Sequence, residues 1–172
     1  MRIQPIVPGT RSELVGIEQQ ILAERGRISP LYQVLLHSPA IARGWEQMLS
    51  AVRNYSSIDA GIRELVILRV AMLNSAAYEF EAHVPHALKA GVSQEAIDAT
   101  RHLGTAQSAH WNAAQQLAIE ATDALTRGAD VPEPLFARVA AQFSEQEQVE
   151  FFATVGAYNM VSRFLNAFQI GH

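Results

Sequence analysis

The chain has 172 residues, 49% of them hydrophobic and 17% charged, which is enough apolar material for one packed core at the usual size of a domain. Thirteen lysines and arginines against seventeen acidic residues leave a net charge of -4 with no basic block, so nucleic acid is excluded as a partner. The absence of cysteine removes disulfides, thiolate-held metals and every thiol mechanism at once.

In chain order, Thr10 and Glu13 read as a capping box opening a first helix through Leu14, Ile17 and Ile21, which stops at Gly26. Ser29-Pro30 and Ser38-Pro39 each place a capping hydroxyl before a proline suited to the first helical position. The second of these helices carries Ile41, Trp45, Met48, Leu49 and Val52 on one face. A helix starting near Ser57 or Asp59 runs through IRELVILRVAML, apolar nearly all round, and is predicted to lie at the centre of the fold. Asn74-Ser75 breaks it weakly. AAYEFEAHVPHALKAG then forms a helix ending at Gly91, with a kink expected at Pro85, and Ser93 caps a short helix to about Leu103. Trp111, Ala114, Ala118, Ala121 and Leu125 mark an amphipathic helix stopping at Gly128, and DVPEP is a turn. Ser144 and Glu147 form a second capping box that opens a long last helix through Val149, Phe152, Val155, Met160 and Phe164. No strand pattern occurs, so the fold class is all-α in a single domain. The opening MRIQPIVPGT lacks a secretory apolar run, and no stretch reaches the ~20 apolar residues of a membrane helix. A cytoplasmic protein without a membrane partner is expected.

The informative charged residues are those set among apolar neighbours. Glu64 and Arg69 lie inside the central run, where Glu64 needs a partner or a raised pKa; a structural ion pair with an arginine is the plain alternative to a functional role. Glu79 and His83, four apart, share a helical face, so the carboxylate can fix the imidazole tautomer and leave the other ring nitrogen to move a proton. An ordinary surface pair has the same spacing. Glu79, His83 and His86 also spell a two-histidine, one-carboxylate metal set, but Pro85 disturbs the helix between the histidines and no metal is assigned. His37 is expected to pack before Pro39, His110 beside Trp111 to line a pocket, and Tyr78 either to join the core or to donate a hydrogen bond to a ligand. There is no serine elbow, phosphate loop or dinucleotide fingerprint.

RELVILRVAMLNSAAYEFEAHVPHALKAGVSQEAI, within about residues 57 to 103, resembles the core of the carboxymuconolactone decarboxylase family, which also holds the alkylhydroperoxidase D-like proteins. LLHSPAIARGWEQML and YNMVSRFLNAF resemble flanking pieces of its longer members. The resemblance implies an alkylhydroperoxidase D-like helical bundle, with an N-terminal extension over 1–56 and C-terminal helices over 104–172, assembling as a trimer or hexamer with its site near a subunit interface. Apolar faces around Phe151, Phe152 and Phe164 are compatible with such burial. Laid on the thiol branch of the family, Glu64 takes the place of its glutamate, Ala76 and Glu79 those of its two cysteines, and His83 that of its histidine. Both thiols are gone, so peroxide reduction by thiolate attack has no nucleophile here. The decarboxylase branch is similar at the site itself, with a glutamate followed four residues on by the histidine. That branch implies cofactor-free acid–base chemistry on a small carboxylated lactone or related enolisable acid. His83 would be the acid or base, Glu79 would hold its tautomer, and Glu64 would relay the proton or position the ring. Tyr78, His86 and Arg69 are the candidate substrate contacts, with Arg69 or Arg163 as a carboxylate anchor by residue type. This reading expects a pocket joining Glu64, Glu79 and His83. The departures, an extension of roughly thirty residues and the YEFEAHVPH wording, leave the substrate open. Two other readings stand beside it: an antioxidant protein needing an outside reductant, and a non-catalytic helical assembly.

Overall fold

The computed structural model describes residues 1–171, and among these the ordered elements are helical. They are α1 (Val15–Arg25), α2 (Pro30–Leu35), α3 (Pro39–Asn54), α4 (Ala60–Leu73), α5 (Ala77–Lys89), α6 (Gln94–Ala99), α7 (Ala113–Gly128), α8 (Glu133–Gln142) and α9 (Glu145–Phe168). No helix among the described residues is long and apolar enough to cross a membrane. The chain divides into two compact units, Met1–Tyr55 with the residues from Ala167 onward, and Ser56–Asn166.

In the first unit, Thr10 does not cap α1. Its hydroxyl donates instead to the Val7 carbonyl at 2.7 Å, and a short 3-10 turn, Ser12–Leu14, leads into the helix. Gly26 closes α1 in the left-handed region at φ 70, a conformation that costs a side chain-bearing residue more than glycine. Ser29 and Ser38 occupy the expected cap positions of α2 and α3 with proline behind them, yet neither hydroxyl makes a cap bond. On α3 the buried stripe is Ala42, Trp45, Leu49 and Val52, while Ile41 and Met48 face outward at 56% and 41% exposure. Inside that stripe lies Glu46, fully buried, and it is neutralised locally. Arg25 Nε reaches both its oxygens at 3.1 Å, Ser50 Oγ donates at 2.6 Å and the Tyr32 hydroxyl also donates to it, so one carboxylate ties α1 and α2 to α3. Burial and the Glu46 bond push the Tyr32 phenol pKa upward.

The second unit is built around α4. Asp59 caps it by accepting from Ile62 N at 2.9 Å, and ten of its fourteen residues are buried, as its all-round apolarity requires. It packs against α5 and α7, and Leu65, Leu68 and Ala71 meet Ala76, Phe80, Ala87, Ile97, Trp111 and Ile119 in one core. The α4–α5 break at Asn74-Ser75 is held from α9: Asn74 Nδ2 donates to Asn159 Oδ1 at 3.0 Å, and Asn166 Nδ2 donates to the Asn74 carbonyl at 2.6 Å. α5 continues through Pro85 to Lys89, and α6 ends at Ala99 rather than near Leu103. Asn112 and Gln115 form a capping box for α7, and a further helix, α8, follows the DVPEP turn; neither has a signal among the patterns read from the sequence. Ser144 and Glu147 exchange the expected bonds at the start of α9.

Candidate active site

Glu64 stands in the middle of α4, and Glu79 and His83 stand one turn apart on the face of α5 that packs on it. Each is less than a tenth exposed. His83 Nδ1 lies 2.7 Å from Glu64 Oε2, and His83 Nε2 lies 3.1 Å from Glu79 Oε1. Ionised carboxylates only accept hydrogen bonds, so a carboxylate at each ring nitrogen favours the imidazolium, the form that can donate to both. Burial by itself would lower the His83 pKa, but the hydrogen bonds and charges of Glu64 and Glu79 outweigh it, and the net shift is upward. The expectation of one occupied and one free ring nitrogen is therefore corrected: both are engaged in this conformation, and the tighter bond comes from Glu64.

Other groups complete the surroundings. Tyr158 of α9, also buried, meets the His83 ring nearly perpendicularly with centroids 5.1 Å apart. His86, one turn further along α5, is exposed, with its ring 5.5 Å from that of His83. Arg63 sets its Nε 3.6 Å from Glu64 Oε1. Tyr78 is half-buried on α5, and five residues before His83 it sits about 140° away around the helix, on a different face.

Arg69 is not a substrate anchor here. Its five donors are all taken: Nε and Nη2 clamp Asp123 at 2.6 Å each, Nη1 reaches the Thr100 and His102 carbonyls at 2.9 and 3.1 Å, and Nη2 also reaches the Thr105 carbonyl at 3.0 Å. A wholly buried guanidinium satisfied in this way fastens the segment after α6 to α4 and α7. Arg163 is exposed on α9. His37 Nε2 donates to the Gln4 carbonyl at 2.8 Å and is exposed, as is His110.

An open hollow of about 590 Å³ lies between Leu103–Ala106 and Asp123–Pro132, and a smaller one is lined by Gln107, Ser108, Ala109 and Gln116; neither includes the three residues. His83 itself is 3% exposed, with Glu79 Oε1 3.1 Å from its Nε2. Among the described residues no group of three or more histidine, aspartate or glutamate side chains is arranged to hold a metal ion.

The carboxymuconolactone decarboxylase family matches residues 39–124, half of the chain. The chain belongs to that family. The matched span contains Glu64, Glu79 and His83, whereas Tyr158 lies outside it. No curated protein sequence matches the chain. Among solved structures, a cysteine-to-alanine variant of the debrominase Bmp8 in complex with 2,3,4-tribromopyrrole is similar at 15% identity and TM-score 0.80, over 98% of this chain and 90% of that one. A protein of unknown function from Agrobacterium tumefaciens, grouped with AhpD antioxidant-defence proteins, is 22% identical with TM-score 0.72, over 79% and 92%. An uncharacterised peroxidase-related protein from Silicibacter sp. TM1040 is 14% identical with TM-score 0.79, over 96% and 87%. At these identities the likeness is one of fold, the alkylhydroperoxidase D-like helical fold. Sequence reading missed Arg63 and Tyr158 at the site. Arg63 had a signal, since it directly precedes Glu64 in the same buried run; Tyr158 had none, because its approach depends on where α9 returns.

Proposed function

We propose that this family member is a cofactor-independent acid–base enzyme acting on a small carboxylated lactone or related enolisable acid. The observation that carries the reading is the buried His83 ring set between Glu64 and Glu79, one carboxylate at each of its two nitrogens. A cation of raised pKa in a site nearly closed to water is a proton donor at neutral pH, and proton delivery to carbon is the step such substrates need. Glu64, bonded at 2.7 Å on Nδ1, orients the ring. Glu79, bonded at 3.1 Å and slightly more exposed, is the group that swings aside to bare Nε2, and after the transfer the neutral ring takes its next proton from water. In a decarboxylation of this class, the C–CO2 bond breaks and its electron pair moves through the conjugated double bond. The far carbon then takes the proton from Nε2. His86, whose ring lies 5.5 Å from that of His83, is the proposed substrate contact, Tyr78 being on another face of α5, and a trimer or hexamer is the proposed assembly. The thiol route of antioxidant relatives has no nucleophile in this chain.

The closed burial of His83 favours a second reading, a non-catalytic helical assembly in which the three residues form a structural charge cluster. Turnover separates the two. With a panel of carboxylated γ-lactones, carbon dioxide release or deuterium uptake from heavy water should be measurable and should fall about 100-fold or more in His83→Ala. Absence of turnover across the panel, or full activity in the variant, overturns the catalytic reading and leaves the structural one.

A further inference from the structure

A guanidinium presents five N–H donors in a planar fork and keeps its charge at any physiological pH. Two arginines of α4 use that fork in opposite ways. Every donor of Arg69 is spent on Asp123 and three backbone carbonyls. Arg63, only 15% exposed at its side chain, has a buried Nε with no hydrogen-bond partner among the described residues. Its approach to Glu64 Oε1, at 3.6 Å, is too long for a hydrogen bond. A largely buried charged donor left in this state is matched to an acceptor that arrives from outside the chain.

The neighbouring contacts say what kind of acceptor. Glu64 is already neutralised through its other oxygen by the 2.7 Å bond to His83, so Arg63 can turn away from it without stranding a carboxylate. Glu64, Glu79, His83 and Arg63 together carry two negative and two positive charges, a balanced set in which Arg63 is the least tightly held cation. We propose that Arg63 is the anion anchor of this site and takes the carboxylate of a small ligand in a forked pair, beside the Glu64–His83 bond. Its place at the active site rests on the acid–base reading above. The pairing selects charged acids over neutral esters and lactones, because a neutral carbonyl cannot replace the loose Glu64 contact with a stronger one.

The shared chemistry, a carboxylate, has two sources: a small-molecule acid, or an acidic side chain of a second copy of the chain. Calorimetric titration with γ-carboxy-γ-butyrolactone and with neutral γ-butyrolactone tests this without requiring turnover. The His83 ring signals followed by NMR report where the ligand lands. The charged lactone is expected to bind the wild-type protein and shift the His83 signals. Arg63→Gln should weaken that binding tenfold or more, Arg63→Lys should fall between, and the neutral lactone should be insensitive to both. An unchanged melting profile for Arg63→Lys shows that the fold is kept. Equal binding by wild type and Arg63→Gln overturns the proposal, as does no binding by the wild type. Loss of self-association in Arg63→Gln without anion binding also overturns it, because the partner is then a second copy. Should the turnover test fail while binding remains dependent on Arg63, the acid–base reading falls and the anion site stands.

Discussion

Removing the guanidinium of Arg69 would leave the Asp123 carboxylate, 14% exposed, with only the more distant Arg127 at 3.8 Å, and three carbonyls without donors. Breaking one partner of a buried pair costs about 3–5 kcal/mol, a large share of the 5–15 kcal/mol that a domain has. Arg69→Ala is therefore expected to lower unfolding free energy by that amount in urea titration. A loss below about 1 kcal/mol would mean that the network does not tie the segment after α6 to the helices. The same pair of residues shows what residue type can and cannot tell. Both Arg63 and Arg69 lie in one apolar run, and an arginine among apolar residues announces only that it has partners. Which of them meets backbone carbonyls and which meets a carboxylate at the site depends on the path of residues 100–105, and that path is fixed by the fold rather than by local pattern. Glu64, Glu79 and His83 were legible because two rules converge on them: a carboxylate in an apolar run needs a partner, and positions four apart share a face.

The helices differ in how far their ends announce themselves. Asn112 and Ser144 accept or exchange real cap bonds, with Gln115 N donating to Asn112 Oδ1 at 2.9 Å and Glu147 N donating to Ser144 Oγ at 3.3 Å. Ser29 and Ser38 sit at cap positions with idle hydroxyls. Asn112→Ala and Ser144→Ala should each destabilise by about 1 kcal/mol, whereas Ser29→Ala and Ser38→Ala should stay within about 0.5 kcal/mol. Comparison of the four urea midpoints checks this, and equal losses at all four would contradict it. Serine before proline fixes where a helix begins, since proline supplies the dihedral and lacks the donor, so the cap bond becomes dispensable. That is why the starts of α2 and α3 were readable while their energetics were not. α8 escaped notice for another reason. Only Leu135 and Val139 of its ten residues are buried, too few apolar positions to set up a visible period.

For the molecule as a whole, two linkages flank neutrality, Glu95 adding to the acid side and Tyr32 acting only above pH 10. Glu150 takes Gln146 Nε2 on one oxygen at 2.9 Å and, on the other, Ser57 N and Oγ at 2.8 Å, Ser56 Oγ at 3.1 Å and Ile58 N at 3.1 Å. With Gln146 contributing most, these bonds hold its pKa down to about 2 from an ordinary 4.5. A depressed folded pKa stabilises fully above the unfolded value, and that contribution is lost as pH falls through 4.5 toward 2. His83 works in the opposite sense. Its folded pKa is raised from 6.5, so its contribution is complete below 6.5 and is lost as pH rises through the folded value. Stability should therefore be flat between these limits and decline on both sides, each limb no steeper than about 1.4 kcal/mol per pH unit for its single group. Urea midpoints measured across pH test both limbs. Glu150→Gln should flatten the acid limb and leave the alkaline one. In the Glu64→Gln/Glu79→Gln double variant, neutral amides no longer hold the proton on the ring, so the alkaline limb should disappear while the acid limb persists. A decline between pH 6.5 and 10, below the range in which Tyr32 titrates, that survives the double variant would show that the proton being lost is not the one on His83, and would remove the imidazolium on which the proposed chemistry depends.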